Sequence, residues 1–311
     1  MSSLLTNSSA MTALQTLTAT NKNMTATQTR ISTGLRVSSA SDNAAYWSIA
    51  TTMKSDNAAL SAVKDAIGLG AATIDTMYTA LDTTKEIVTE IKKKLVAARD
   101  AGVDRAKVQT EISDLQNQLK ASASSAVFNG ENWLDVDSSA GDYNNIRAVV
   151  ASFSRAGGVV TIDKIDIDIS KMHLFDAAGN GIFDRDRSAG FQAGGNITGT
   201  SVSDFDISDV TNEANDLADL EGLTQAVDDA LQELTDAISY LGSIKNRVDI
   251  QNDFVNALSD AITRGIGQLV DANMEEESTK LQALQVQQQL GIQALSIANS
   301  SMQNVLSLFR G

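Results

Sequence analysis

Apolar residues recur every three or four positions near both ends of the chain, which is the spacing of amphipathic helices that pack as coiled coils. The first such stretch spans residues 10–35, with polar Asn21 and Gln28 at two positions of its apolar seam. Gly34 interrupts it, and residues 38–43 (SSASDN) combine turn formers with residues that favour a helix start. The pattern predicts an N-terminal helix that ends in a bend.

A stronger apolar repeat covers residues 49–95 and predicts a helix roughly 65–75 Å long at 1.5 Å per residue. Turn formers at 100–104 follow, and the repeat then resumes over residues 108–119. Two helices joined by so short a turn form an antiparallel hairpin. The N-terminal part of the chain is therefore expected to be mostly helical.

The heptad spacing returns over residues 220–262, and two glycines at 265 and 267 are expected to loosen that helix. A last helix is predicted over residues 271–309. Because its apolar residues occupy two faces, it needs more than one neighbour to cover them. We therefore expect the chain ends to be self-association surfaces. One face carries Leu281, Leu284 and Leu295, and the other carries Val286, Leu290 and Ile297.

The middle of the chain changes from helical to β-type patterning. Residues 128–145 are rich in turn formers, whereas residues 146–154 and 159–169 are β-like, the second with alternating Ile and Asp. The short segment 155–158 between them predicts a β-hairpin. Residues 171–206 are rich in Gly, Asp and Ser and are expected to form a short variable insert.

Helices on either side of a β-containing middle predict a mainly α fold with a small β region. The N- and C-terminal segments are expected to pair as a long antiparallel helical bundle or coiled coil, because each apolar seam needs a partner. The β-hairpin and the short variable insert complete the predicted fold.

The composition excludes several kinds of functional site and partner. The 311 residues include no Cys, which excludes disulfides, thiol catalysis, zinc fingers and iron–sulfur clusters, and no Pro, as expected of long uninterrupted helices. With 24 basic and 39 acidic residues the net charge is −15, which argues against a nucleic-acid partner. The start lacks the pattern of a secretory signal peptide, and no run of about 18 apolar residues predicts a membrane span.

Candidate catalytic and metal-binding residues are few. His173 is the single histidine, which we expect to be an ordinary surface residue; a hydrolase that uses it is the least favoured hypothesis. Residues 176–187 resemble a calcium loop but have Ala178 and Arg187 where carboxylates are needed. The Gly68–Gly70 segment lies inside the longest predicted helix and indicates close helix packing. No catalytic, cofactor or metal site is predicted.

Residues 30–50 (RISTGLRVSSASDNAAYWSIA) resemble the N-terminal signature of bacterial flagellins, the subunits of the flagellar filament. Residues 241–247 (LGSIKNR) and 294–309 (ALSIANSSMQNVLSLF) resemble two C-terminal motifs of that family. The FNG sequence at 128–130 resembles its turn after the second core helix. The motifs agree in order and spacing at both ends. The resemblance covers about 1–135 and 220–311.

The Tyr46–Trp47 pair departs from the family pattern, because small or aliphatic residues are usual at these positions. This departure resembles a soil-type subset of flagellins, here with a short outer insert. Some members of that subset build ridged filaments from several related subunits.

The resemblance implies three regions. Residues 1–45 and 268–311 would form an inner coiled-coil domain made of the terminal helices. Residues 46–170 and 207–267 would form a helical bundle with the β-hairpin, and residues 171–206 would form the short outer insert.

The resemblance also implies a structural, non-enzymatic subunit that polymerises through its terminal helices into the flagellar filament for swimming motility. Such a subunit is exported without a cleaved signal peptide and works outside the cell. The alternative is a hook–filament junction (adaptor) protein with flagellin-like terminal helices. Expected partners are further copies, alone or with related flagellins, an export chaperone on the C-terminal helix, and filament cap and hook-junction proteins. No cofactor, nucleic acid or membrane is expected.

Two groups of residues are expected to carry this function. The signature bend comprises Arg30, Gly34, Arg36, Asp42 and Asn43. The polymerisation interface comprises Leu14, Leu17, Met24, Ile31, Leu35, Leu284, Leu290, Leu295, Met302, Val305, Leu306 and Phe309.

Overall fold

The computed structural model describes residues 7–141, 143–156, 158–187 and 196–308, excluding the side chains of 156 and 302–308. The helices are α1 Ser8–Thr33, α2 Ala44–Ala98, α3 Arg105–Ser125, α4 Ala214–Val270 and α5 Met274–Leu308. The strands are β1 Asp135–Val136, β2 Ile146–Ala156, β3 Val159–Asp168 and β4 Phe175–Asp176, and a short 3-10 helix covers Ile169–Lys171. This helix–β–helix order confirms the predicted mainly α fold class with its small β region.

The chain divides into two compact units. The first unit consists of Met1–Ala58 together with Leu258–Gly311, and the second consists of Ala59–Ala257. Helices α2 and α4 therefore each contribute residues to both units. The finer division into an inner domain, a bundle and a separate insert stays a prediction.

Helix α4 is continuous where the sequence predicted a weak point. Gly265 and Gly267 both lie within it, and it ends only at Val270. The expectation that these glycines loosen the helix was wrong. A Cβ at Gly265 would come within 3.1 Å of the Met53 methyl carbon, so the missing side chain leaves room for a neighbour within the first unit.

The second unit is built on an antiparallel pairing of α2 with α4, covered by α3. The ion pairs Asp75–Lys245 (2.6 Å) and Glu221–Arg99 (3.2 Å), and a further one between Lys92 and Asp228, step forward along α2 and backward along α4. Between them lies an apolar core at the positions of the predicted repeats. Its fully buried members include Leu60, Ile67, Ile74, Met77, Leu81, Ile91, Leu95, Ile112 and Leu119.

The predicted β-hairpin is present as the antiparallel pair β2–β3, with a β-bulge between Val150 and Ser152. Its approach to α2 explains a glycine that the sequence analysis assigned to helix packing. A Cβ at Gly70 would lie 2.2 Å from Val149 Cγ1, so the contact is with the hairpin and not with another helix. Gly68 has no heavy atom within 4 Å of the corresponding position.

Residues 196–212, which begin inside the predicted insert and run beyond it, are tied to α3 by buried polar side chains. Arg105 donates to the carbonyl oxygen of Val210 and to Asn212 Oδ1, at 3.2 and 2.8 Å. The amides of Gln109 and Gln116 both donate to the Phe205 carbonyl oxygen at 3.2 Å. These long-range hydrogen bonds were not predicted from the sequence, because nothing in its local pattern links α3 to the insert.

The Asp216 carboxylate in the first turn of α4 binds residues near both ends of the 196–212 segment, and its side chain is buried. It accepts hydrogen bonds from the Thr211 hydroxyl and N–H, both at 2.6 Å, and from the N–H and side-chain amide of Asn196, both at 3.0 Å. The Thr211 hydroxyl hydrogen bond is the largest cause that lowers the pKa of Asp216 to about 2, against the opposing effect of burial.

We expect Asp216→Asn to lower the free energy of unfolding by about 2 kcal/mol at neutral pH, because buried donors lose their acceptor. Since the folded pKa lies below the unfolded value of about 4, the stabilisation is complete above about pH 4 and is lost as the pH falls toward 2. Urea unfolding of both chains at pH 7 and pH 3 measures this difference. Asp209→Asn, at an exposed position, is the matched control. A constant difference between Asp216→Asn and the parent chain at the two pH values would contradict the assignment.

Candidate assembly site at the terminal helices

Helices α1 and α5 pack against each other along an antiparallel seam in the first unit. The closest backbone approach is at Gly291, where a Cβ would lie 3.3 Å from Leu17 Cδ1. Polar contacts connect the same two helices on either side of this point. The Asn7 amide donates to the Ala298 carbonyl oxygen at 3.0 Å, and the Gln288 amide donates to Asn21 Oδ1 at 2.8 Å.

The seam itself buries few large side chains. Thr20 and Thr27 are the buried residues of α1, and Leu284 is buried on α5. Of the predicted interface residues, a half-buried group lines this seam or the adjacent bend: Leu17, Met24, Ile31, Leu35 and Leu295. We assign these residues and Leu284 to contacts within one chain.

Further apolar side chains of the two helices are exposed. Leu14 is 54% exposed on α1, and Leu290 is 58% exposed on α5. At 100° per residue, Leu290 lies on the side of α5 away from Leu284 and Leu295. Val286 and Ile297 lie within about 40° of Leu290 around α5 and are also exposed, and Met11 is exposed on α1 near Leu14. Isolated exposed apolar residues are ordinary, but a run of three on one side of a helix marks an interaction surface.

The side chains of the last four predicted interface residues are outside the described part of the chain. Phe309 lies outside the described residues. The backbone of Met302, Val305 and Leu306 belongs to α5, whereas their side chains lie outside the described part of the chain.

The signature bend joins the end of α1 to the connection between α4 and α5. Gly34 ends α1 with a φ of 72°, a left-handed conformation that favours glycine, and its carbonyl oxygen accepts the Ala272 N–H at 2.9 Å. Arg36 donates from its guanidinium to the Gln268 and Leu269 carbonyl oxygens, at 3.3 and 3.0 Å. These carbonyls belong to the last turn of α4, where a cation is favourable.

A small apolar cluster supports the bend from inside. Val37, Ala50 and Val270 are buried together, with Leu35, Ile266 and Leu269 packed against them. The bend therefore brings the residues that follow α1, the end of α4 and the start of α2 into one small core.

Asp42 and Asn43 shape the start of α2, as the SSASDN segment predicted. Asp42 Oδ2 accepts hydrogen bonds from the backbone N–H and hydroxyl groups of Ser38 and Ser39, at 3.0–3.1 Å. The Ser39 N–H is the largest cause that lowers the pKa of Asp42, followed by the Ser38 N–H. Asn43 Oδ1 accepts the Tyr46 N–H at 3.1 Å, which is the role of a helix N-cap.

Arg30 makes a contact that sequence analysis missed. Its Nη1 lies 3.1 Å from Glu277 Oε1 in the first turn of α5, and the Glu277 side chain is only 10% exposed. Glu277 is the last of three successive glutamates, and the sequence carries no local signal that separates it from Glu275 and Glu276. Only the pairing of the two chain ends identifies it.

The candidate chemical groups elsewhere form other contacts. His173 is buried, with ring nitrogens 3.3 Å from the Ile169 carbonyl oxygen and 3.2 Å from that of Asn180, so the expectation of a surface histidine was wrong. Within the calcium-like segment, Asp176 accepts hydrogen bonds from Ser138 and Ala178. Among the described residues, no group of three or more His, Asp or Glu side chains could hold a metal ion. No helix in the described part of the chain has the length and apolar content to cross a membrane.

Comparisons with known proteins identify relatives along the whole chain. Residues 4–138 match the family described as the bacterial flagellin N-terminal helical region, and residues 224–309 match the bacterial flagellin C-terminal helical region. The chain is 47% identical to Flagellin C of Rhizobium meliloti (strain 1021) over 328 positions and 46% identical to a Brucella melitensis flagellin over 312. It is 45% identical to Flagellin A of Rhizobium meliloti over 397 positions. Each alignment covers 100% of both chains.

A solved structure shares the fold at low sequence similarity. It comes from Vibrio parahaemolyticus and is assigned to the flagellar hook-associated proteins, with a TM-score of 0.52 and 15% identity. The match covers 74% of this chain and 100% of that one. At this identity the likeness concerns the fold alone.

Proposed function

The chain belongs to the bacterial flagellin family, and we propose that it polymerises through the exposed apolar residues of α1 and α5 into the flagellar filament that drives swimming. Flagellins are structural proteins, which agrees with the lack of a predicted catalytic site. The observation that carries the proposal is the apolar stripe of Val286, Leu290 and Ile297 on α5, which the pairing of α1 with α5 leaves uncovered, together with exposed Leu14 on α1. In a polymer this stripe would be buried against other copies.

The pairing of α1 with α5 supports this proposal. Its inner face is already used within one chain, so the outer face is free to meet different surfaces of neighbouring copies. Contacts between unlike surfaces generate open helical filaments when the rotation between copies does not close a ring. The signature bend would fix the direction in which the pair leaves the α4–α5 connection.

The expected partners follow from this role. Further copies are the principal partner, alone or mixed with related flagellins. An export chaperone would cover the outer apolar face of α5 before assembly, because that face is otherwise exposed to water. Filament cap and hook-junction proteins would bind at the filament ends, and the protein would work outside the cell after export without a cleaved signal peptide.

The test of this function is elongation of filament fragments by purified protein. A filament subunit is expected to lengthen the fragments in proportion to added protein, as measured by electron microscopy. A hook–filament junction protein would bind once at each end and stop. A chain that neither elongates the fragments nor forms filaments alone would contradict the proposal.

A further inference from the structure

The apolar seam between α1 and α5 does not by itself define how the two helices are aligned. Its buried positions on α1 are the small residues Thr20 and Thr27, and much of the rest is half-buried. A seam that repeats every three or four residues keeps similar apolar contacts when one helix slides by a turn. Besides the backbone hydrogen bond from the Ala272 N–H to the Gly34 carbonyl oxygen at the bend, polar side chains along the pair can distinguish one register from the next.

Polar contacts occur at three levels of the α1–α5 pair and follow one antiparallel register. From the start of α1 to its end they are Asn7–Ala298, Asn21–Gln288 and Arg30–Glu277. Asn21 is one of the polar residues that interrupt the apolar seam in the sequence. A slide of one turn moves each partner by about 5 Å along the axis, which breaks all three contacts.

Among the three contacts, the Arg30–Glu277 pair should distinguish the registers most strongly. It is the one formed by charged groups, and the Glu277 side chain is only 10% exposed. Its Oε2 is enclosed and accepts no hydrogen bond from the described residues, so Arg30 at Oε1 is its stabilising partner. A buried carboxylate that loses its cation is far more costly than an exposed one. Arg30 in the last turn of α1 and Glu277 in the first turn of α5 are also on the favourable ends of their helix dipoles.

We propose that Glu277, acting through Arg30, selects the register of α1 against α5 and is thereby a positioning residue for assembly. A slipped pair would leave the Glu277 carboxylate buried without its cation. It would also shift the outer apolar stripe of α5 along the helix axis relative to α1. This inference rests on the proposed function, because it assigns a role within the same terminal pair. It specifies which of several similar alignments of the two helices is competent to polymerise.

The lack of cysteine allows the register to be read directly by crosslinking. A Cβ at Gly291 would lie 3.9 Å from Leu17 Cβ, within the range of about 3.5–4.5 Å for disulfides. Leu17→Cys with Gly291→Cys therefore reports the observed register. Leu17→Cys with Leu295→Cys reports a shift of about one turn along α5. Both pairs are introduced into the full chain, oxidised after polymerisation and quantified on non-reducing gels.

With Glu277 intact, the 17–291 crosslink is expected to dominate. Glu277→Gln is expected to lower the ratio of the 17–291 to the 17–295 crosslink about tenfold. Glu276→Gln, an exposed neighbour in the same turn, is the matched control and should leave the ratio unchanged. The exchange Arg30→Glu with Glu277→Arg should recover much of the 17–291 yield, because an opposite pair is restored. Equal ratios for Glu277→Gln and Glu276→Gln would overturn the proposal.

A second measurement covers the case in which the cysteine pairs impair assembly. In the cysteine-free chain, Glu277→Gln is expected to raise the critical concentration for polymerisation about tenfold, and Glu276→Gln less than about twofold. Equal critical concentrations would again overturn the register proposal. If the unchanged chain does not polymerise at all, the proposed function is wrong. The crosslink ratio in the soluble chain then still tests the register.

Discussion

Deleting residues 290–311 is expected to abolish filament formation completely. The deletion removes the exposed apolar residues Leu290 and Ile297 and also Gly291, which faces Leu17 on α1. The first half of α1 thus loses its partner helix and the polymer loses its contact surface. Electron microscopy and sedimentation should find only monomers at concentrations at least a hundredfold above those at which the full chain assembles. A two-decade rise in critical concentration corresponds to about 2.7 kcal/mol per subunit.

The second unit provides the internal control for this deletion. Its core lies within Ala59–Ala257, which the deletion leaves intact, so its thermal unfolding transition should keep its midpoint. A truncated chain with an unchanged transition and no filaments would separate assembly from folding. Filaments of normal length from the truncated chain would contradict the assignment of α5 to the polymer contact.

A single charge on the exposed stripe should have an effect nearly as large. Leu290→Asp places a carboxylate on a side chain that is 58% exposed in the free chain but buried in the proposed polymer. Burying that charge without a partner costs at least about 3 kcal/mol, so the critical concentration should rise more than a hundredfold. Light scattering during polymerisation measures the change, and circular dichroism tests whether the free chain keeps its helix content.

Gln289→Asp is the matched control for that substitution. Gln289 is the adjacent exposed residue and lies about 100° around the helix from Leu290. Its replacement by Asp adds the same charge as Leu290→Asp. Its critical concentration should change by less than about threefold. Equal effects of the two substitutions would mean that net charge, and not the apolar stripe, controls assembly.

The helical part of the fold was predictable because long apolar repeats leave little choice of secondary structure. The repeats over 10–35 and 49–95 became α1 and most of α2, and the β-like segments 146–154 and 159–169 became the hairpin β2–β3. The bend at Gly34 and the N-cap Asn43 were also visible as local turn and cap chemistry.

The contacts between distant segments were not predictable in the same way. Arg30 and Glu277 are 247 positions apart, and Arg105 is 105 positions from Val210. A single sequence shows that such residues are polar but not which partner each one meets. The same limit explains His173, which the sequence placed at the surface but which is buried in the structure.

The residues of the candidate site were predicted, but which of them contact α1 and which face solvent was not. The sequence placed Leu284 and Leu295 on one face of α5 and Leu290 on another, but it assigned all three to the polymerisation interface. The structure separates them, with Leu284 and Leu295 toward α1 and Leu290 toward solvent. Heptad spacing identifies apolar faces, but the face that a second copy covers emerges only after the partner within the chain is placed.

The most direct test of the central claim is the accessibility of the outer stripe before and after assembly. Ile297 is 68% exposed, and the chain has no cysteine, so Ile297→Cys creates a single reactive thiol. Maleimide labelling should be fast in the free chain and at least about a hundredfold slower in filaments, because the stripe becomes buried between copies. Equal labelling rates in the free chain and in filaments would contradict assembly through this face.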